Sequence, residues 1–301
     1  MKIFITGGSG FVGTHLSQYL LRKGHRVIAV GGSPIHQLSD NDNFQYISAD
    51  TTEKGDWQKA LKNVDAAVNL AGFNIFRFWT DNAKAQIYDS RILTTRNLVE
   101  AMPEDRGVTL CSTSAAGYYG NRGDEILKED AMQGDDFLAK VCIDWEKEAT
   151  LAKAKGIRVV TMRLGVVLGK GGGAIKKMLP AFRLFVGGPM GNGKHWFCWI
   201  HIDDLISAIY CILENREPKG PVNFCAPEPV RNKDFAKALG NALNRPSYIS
   251  VPEFLIRLIM GELGTSLLNS QRLSSDKLTK YGFQFQYPDI DSALNQILMA
   301  S

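Results

Sequence analysis

Apolar and polar positions along this chain change period at regular intervals. Residues 2–6, Lys-Ile-Phe-Ile-Thr, form an apolar run too short for a helix, which predicts a buried strand. Leu16, Tyr19 and Leu20 then recur at helical spacing, and Gly24 closes that pattern. Short apolar runs follow at 26–30, 44–48, 66–70, 108–112 and 158–164. Helical patterns at 53–61, 80–102 and 137–155 separate the later ones. Such alternation builds βαβ units around a parallel sheet. Right-handed crossovers place the helices on both of its faces. The expected fold is α/β, a doubly wound parallel sheet.

The pattern loosens after Gly169. Gly171-Gly-Gly173, Gly187-Gly-Pro189 and Gly191-Asn-Gly193 are turn and loop signals. Helices are expected at 203–214 and 232–243, with a strand at 222–224 returning to the sheet. A separate C-terminal piece begins at Pro252. This divides the chain into a first domain at 1–170, with returning elements to about 245, and a smaller lobe at 171–301 that includes a C-terminal region at 250–294. The stretch 254–268 is the most apolar late segment, but Arg257, Glu262 and two glycines interrupt it. It reads as a core helix rather than a bilayer span.

Composition narrows the function classes. The formal net charge is +4 and no dense Lys/Arg run occurs; 147–155 and 170–177 read as solvated helix faces. Nucleic acid and membrane surfaces are therefore disfavoured as partners. The five cysteines are scattered, odd in number and never in a CxxC pair. They are expected to be reduced, buried and metal-free, as in a cytosolic protein. No signal peptide precedes the first strand, so the expected location is cytoplasmic.

Gly7, Gly10 and Gly13 are spaced GxxGxxG between the first strand and the first helix. Gly7 permits a tight turn, Gly10 lets backbone approach a phosphate, and Gly13 lets the helix pack closely on the strand. The following amides, at Phe11 and Val12, open a helix whose N-terminus attracts an anion. A Rossmann-type site for a dinucleotide, NAD(H) or NADP(H), follows from this placement.

Further blocks extend the pattern: Asn69-Leu-Ala-Gly72, Ser90-Arg91, Gly117-Tyr-Tyr-Gly120, Gly134-Asp-Asp-Phe137 with Trp145-Glu146, and Arg163-Leu-Gly-Val-Val-Leu-Gly169. Met178-Leu-Pro-Ala-Phe-Arg183, Gly187-Gly-Pro189, Trp199-Ile-His-Ile-Asp-Asp204 and Ala226-Pro227 follow, then Gln271-Arg272 and Tyr281-Gly-Phe283 within a C-terminal region of unassigned function. With these, nearly the whole chain resembles the atypical, epimerase-like family of extended short-chain dehydrogenase/reductases, often labelled nucleoside-diphosphate-sugar epimerase. The resemblance implies an NAD(P)-dependent oxidoreductase or epimerase acting on a small, sugar-nucleotide-like substrate. It also implies that Leu70, Ala71 and Gly72 line the cofactor cleft, that Arg91 reaches the cofactor with Gln86 one turn before it, and that Val166 and Val167 border the nicotinamide. Relatives commonly carry a basic residue at the end of the second strand, where Gly32 stands here. Ser33 can donate to a 2′-phosphate and His36 can add charge. With no carboxylate to repel that phosphate, NADP(H) is favoured over NAD(H).

Catalysis is less legible. Orthodox members of the superfamily place Tyr and Lys four residues apart on one helix face, as acid/base and pKa-lowering partner. Aligned on Glu146, those positions hold Leu138 and Cys142. Shifting the register pairs Asp136 with Lys140, which is not an equivalent couple. Ser114, at the carboxyl end of the fifth strand, is the candidate substrate-orienting hydroxyl. Tyr118 and Tyr119 are the candidate replacements for the missing Tyr. Lys194, His195 and Arg183 are candidates for holding an anionic substrate, and His201 reads as a structural residue ahead of a helix cap at Asp203 and Asp204. Two functions stand side by side: a redox enzyme or epimerase, and a non-catalytic NADP(H)-binding sensor or interaction protein. The oligomeric state is open, with a homodimer as the working expectation.

Overall fold

The computed structural model describes residues 1–299. The strands are β1 (Lys2–Thr6), β2 (Arg26–Gly31), β3 (Phe44–Ser48), β4 (Ala66–Asn69), β5 (Thr109–Ala115), β6 (Ile126–Leu127), β7 (Arg158–Leu164), β8 (Val166–Gly169), β9 (Trp196–Phe197), β10 (Trp199–His201), β11 (Gly220–Phe224), β12 (Val230–Arg231) and β13 (Arg272–Leu273). The helices are α1 (Phe11–Arg22), α2 (Asp81–Ala101), α3 (Phe137–Thr150), α4 (Gly173–Arg183), α5 (Ile202–Glu214), α6 (Asn232–Leu243), α7 (Glu253–Leu267), α8 (Asp276–Lys280) and α9 (Ile290–Met299).

Seven strands form one sheet in the order β11-β7-β5-β4-β1-β2-β3, and every pairing in it is parallel. Alternate side chains of each strand enter opposite layers. Ile3, Ile5 and Val27 pack with Leu16 and Leu20 of α1 and Leu205 and Ile209 of α5. Phe4, Ile28 and Leu110 pack instead with Leu98 of α2 and Ala149 of α3. The strand order reverses between β1 and β4, and their carboxyl ends open the crevice where ligands bind in such sheets.

The strand expectations hold, including the return of β11 to the sheet. The expected helix at 53–61 is a 3-10 segment at Asp56–Asn63, and the end of 137–155 is likewise 3-10 at Leu151–Lys155. Helix α4 is only partly legible in the sequence: 170–177 reads as a helix face, but Gly171-Gly-Gly173 reads as a turn and Pro180 lies inside the helix. A second core, built from β8, β10, α4, α6 and α9, surrounds Trp199 and Phe235.

The C-terminal stretch is not a free-standing piece. Leu278 of α8 and Phe283 join the main core. Leu263 of α7 packs with Trp79 and Ile87. Helix α7 also departs from the expected core helix: it buries Ile256, Leu263 and Gly264, while Phe254, Leu258 and Ile259 face solvent. Gly261 kinks it at a φ of 59°.

His201 is a hydrogen-bonded structural residue, as the sequence suggests, but it is itself the N-cap of α5, in place of the expected Asp203 and Asp204, which lie in the first turn. Its Nδ1 accepts from the Asp203 amide at 3.1 Å, so Nε2 carries the hydrogen and donates to Gln296 on α9 at 3.0 Å. The buried Asp204 carboxylate accepts from the amides of Gln286 and Tyr287 at 2.8 and 3.0 Å, tying the C-terminal segment to α5. Burial lowers the pKa of His201 from 6.5, against the opposing pull of Asp203 and Asp204. The folded state disfavours the imidazolium, so below about pH 6.5 the unfolded chain binds a proton that the folded chain does not. Stability is therefore expected to fall on acidification by up to about 1.4 kcal/mol per pH unit for this group. The pH dependence of the urea midpoint measures this, and His201→Gln should flatten it; an unchanged slope in that variant removes His201 as the source. Burial raises Asp204, which acts in the opposite sense and at lower pH.

Candidate functional site

The glycine-rich turn closes over the end of β1 through hydrogen bonds from Gly8 N to Val30 O and from Gly10 N to Gly7 O. Gly7 adopts a φ of +66°, and a Cβ there would lie 2.7 Å from Leu70 O. At Gly13 a Cβ would lie 2.3 Å from Gly7 O, so Gly13 lets α1 approach the turn itself. Gly10 is exposed and open, with only Gly7 O near its missing Cβ. It N-caps α1 without a side-chain hydrogen bond, and the first turn holds no acidic residue. The first-turn amides of Phe11 and Val12 thus end the helix with a partial positive charge. The ring of Phe11 turns away from them, against Gly169, Gly172 and Gly173.

The end of β4 forms the opposite lip. Thr6 donates to Asn69 at 2.6 Å, and Asn69 donates to Thr95 and Ser112 at 2.7 and 3.2 Å. This buried network joins β1, β4, β5 and α2, and fixes the backbone of Leu70, whose amide donates to Thr6 O. Sequence reasoning missed Thr6 and Thr95 as supports. The signal was polar residues at buried positions, Thr6 among them at the end of an apolar strand.

Arg91 lies against Gly72, with its Cζ 3.0 Å from where a Cβ would be. Its NH1 donates to the carbonyl oxygens of Phe73 and Ile87 at 3.2 and 2.8 Å, and its guanidinium lies over Trp145. Burial lowers its pKa to about 10. It forms no ion pair among the described residues. Gln86 is not brought to this lip: it is exposed on another side of α2 and accepts from Arg77.

At the end of β2, Gly32 and Ser33 are exposed, and the Ser33 carbonyl accepts from Tyr46 at 2.8 Å. His36 is not free to meet a phosphate. Its Nδ1 accepts from Leu38 N, its Nε2 faces Gly8 O at 3.2 Å, and its ring lies on Phe44 and Tyr46. It braces the glycine turn instead.

The candidate catalytic hydroxyls separate into two kinds. Ser114 is fully buried and donates to Glu146 at 2.7 Å. Arg163 grips the same carboxylate through both oxygens, at 2.8 and 2.9 Å. Its NH1 reaches the Tyr119 hydroxyl at 2.9 Å, and that hydroxyl donates to Asn223 at 2.7 Å. Tyr119 is thus a structural member of a buried network, and burial raises its pKa. Although burial opposes it, the hydrogen bonds and charge of Glu146 hold Arg163 protonated. Tyr118 is only partly buried; its ring lies 3.5 Å under the Arg163 guanidinium, and its hydroxyl makes no hydrogen bond among the described residues. Leu138 and Cys142, at the positions of the absent Tyr and Lys, face Gly117. Burial pushes the Cys142 thiol up to about 11, which leaves it inert.

Val166 pairs with Trp199 across β8 and β10 and is partly buried. Arg183 and Lys194 are exposed, and His195 is half-buried. Arg183 ends α4, and Lys194 gives its carbonyl to Arg231.

The sequence profile described as the NAD dependent epimerase/dehydratase family matches residues 3–225, and a domain of unknown function, DUF1731, matches residues 251–297. The chain is 38% identical to the epimerase family protein SDR39U1 homolog, chloroplastic, of Arabidopsis thaliana, over 99% of this chain and 87% of that protein. It is 35% identical to epimerase family protein YfhF of Bacillus subtilis, over 99% and 98%. Human epimerase family protein SDR39U1 (isoform 2), solved with NADPH, superposes with a TM-score of 0.88 at 32% identity, over the full length of both chains. The UDP-glucuronic acid 4-epimerase of Bacillus cereus, at 20% identity and a TM-score of 0.82 over 99% and 98%, shares the fold.

Proposed function

Because this chain belongs to the NAD dependent epimerase/dehydratase family, we propose that it binds NADPH across the carboxyl edge of its sheet and performs redox chemistry on a small molecule there. The observation that carries this reading is the uncapped, acid-free N-terminus of α1 behind the exposed Gly10, together with Arg91, which lies against Gly72 and forms no ion pair among the described residues. The cradle fits a dinucleotide. The first-turn amides of Phe11 and Val12 hold the diphosphate, and Gly7, Gly10 and Gly13 shape the turn that lets it approach them. Leu70, Ala71 and Gly72 line its middle, and Val166 borders the nicotinamide. Gly32 and Ser33 receive the adenosine ribose, where no carboxylate opposes a 2′-phosphate. The NADPH in the human relative supports the phosphorylated cofactor over NADH.

When bound, the nicotinamide supplies or accepts a hydride. The chain's own groups must then place the substrate and handle its proton. Ser114 cannot give its proton to a substrate oxygen while Glu146 holds it, so it only accepts. Tyr119 supports Arg163 and Asn223. Tyr118 is the hydroxyl left to exchange a proton with a substrate oxygen. Tyr118→Phe is expected to lower turnover by on the order of 100-fold or more while NADPH affinity stays within about twofold. Unchanged turnover in that variant removes Tyr118 from the reaction.

A second reading has its own observation. Leu138 and the inert Cys142 stand where the acid/base pair belongs, which suits an NADPH sensor. Stoichiometric NADPH binding without turnover across carbonyl compounds and sugar nucleotides would select it over the enzyme.

Arg91 and the cofactor preference are tested by two binding measurements. Arg91→Met removes a desolvated cation, so the apo protein should be as stable as the parent or more so. Its NADPH affinity should fall by about tenfold or more, the scale of one charge-assisted hydrogen bond. A ligand that binds only the folded state raises the apparent melting temperature. NADPH should therefore raise it more than NADH at equal concentration, and the reverse order overturns the preference.

A further inference from the structure

We propose that the face formed by the end of α4, the 244–251 segment and the outer side of α7 docks on the surface of an anionic lipid bilayer. Leu184, Phe185, Tyr248, Ile249, Phe254 and Leu258 lie on these segments and are between 49% and 82% exposed. At about 200 Å² per aromatic side chain, the three aromatics alone expose on the order of 400 Å², the size at which apolar patches mark interaction sites. The segments are one surface. The Val251 amide donates to Pro189 O and its carbonyl accepts from Gly191 N, at 2.9 and 2.8 Å. The Arg245 guanidinium lies 4.7 Å over Phe185.

Phe185 carries a backbone cost for its position. It ends α4 at a φ of +65°, with Val186 N bonded to Ala181 O in the manner of a helix C-cap. Glycine is the usual residue there. An aromatic in the left-handed region, half exposed, is explained by contact with something outside the molecule.

The charge around the patch selects the partner. Lys176, Lys177 and Arg183 are exposed on α4, and Arg245 adds to them. Of the acidic residues on α7, Glu262 is paired with Lys84 and Glu253 with Arg257. A second copy docked about a twofold axis would bring these cations together, whereas anionic headgroups complement them and the apolar side chains enter the interfacial layer. No described helix is long and apolar enough to cross a membrane, so the contact is peripheral. The proposal departs from the expectation, drawn from the absence of a dense basic run, that membrane surfaces are disfavoured as partners.

The test is co-sedimentation of the full chain with vesicles of phosphatidylcholine alone and of equal parts phosphatidylcholine and phosphatidylglycerol. Binding to the mixed vesicles should be at least about tenfold tighter and should weaken with added salt. Lys177→Gln should lower it about fivefold, the contribution of one basic residue near an anionic surface. Phe185→Gly relieves the left-handed backbone, so its melting temperature should hold or rise while vesicle binding falls about tenfold, the scale of one large apolar side chain withdrawn from the interface. That combination separates docking from misfolding. Absence of binding to the mixed vesicles at low salt overturns the proposal. So does unchanged binding of Phe185→Gly and Leu258→Gln, or a concentration-dependent dimer that Leu258→Gln abolishes.

Discussion

Glu146→Ala is expected to destabilise the protein by about 3–5 kcal/mol, the range for removing one partner of a buried ion pair. The side chains of Arg163 and Glu146 are 3% and 13% exposed. Removing the carboxylate leaves the guanidinium with two neutral acceptors, the Tyr119 hydroxyl and the Glu129 carbonyl. Ser114 loses its carboxylate acceptor as well. The pair is not a net source of stability in itself, since each ion loses hydration on burial. Replacing both, as Glu146→Leu with Arg163→Met, should therefore recover part of the loss, limited by the partners of Arg163 left behind. Equilibrium urea unfolding of the single and double variants measures the coupling. A loss below about 1 kcal/mol for Glu146→Ala would place the pair in the range of solvated ion pairs and remove it as the frame that holds β5, α3 and β7 in register at the cleft.

Gly10→Ala and Gly13→Ala are expected to separate cofactor binding from folding. Gly10 has a φ of −77°, which alanine adopts, and a Cβ there would meet only Gly7 O, at 3.1 Å, so a shift of a few tenths of an ångström in the turn admits alanine in the apo protein. Its stability should change by no more than about 1 kcal/mol, the scale of an N-cap replacement. The added methyl group stands where a diphosphate must approach the backbone, and NADPH affinity should fall by about 10–100-fold. At Gly13 the same methyl group meets backbone atoms of Gly7 and Gly8, which cannot rotate away. Overpacking of that kind costs about 1–3 kcal/mol, and NADPH binding should be lost with the shape of the turn. Melting curves and NADPH titrations report the two quantities separately. A Gly10→Ala protein that binds NADPH as the parent does would remove the diphosphate from this turn.

The residues that made the fold legible act locally. Ile3 and Ile5 against Phe4 record a two-sided strand, and Leu16 with Leu20 record one helix face. The cofactor cradle was equally local, since three glycines and the amides that follow them lie within one turn. Where propensity was weak, as in α4 with its leading glycines and internal Pro180, the packing of Ile175 and Phe182 into the second core decides that a helix forms. Apolar content alone misled at α7, because it cannot say which neighbours exist to cover a helix.

The sequence by itself determined the sheet, its parallel order of strand and helix, and the glycine turn, because spacing along one chain fixes period, backbone freedom and the position of a helix N-terminus. Only the tertiary structure decided which hydroxyls are spent and that Arg91 is buried without an ion pair among the described residues. Ser114, Glu146, Arg163, Tyr119 and Asn223 span 109 positions of the chain yet close one buried network, and Arg91 gains its isolation from the surfaces packed around it. Hydrogen-bond partners and desolvation depend on distances between residues remote in sequence, and folding alone sets those distances.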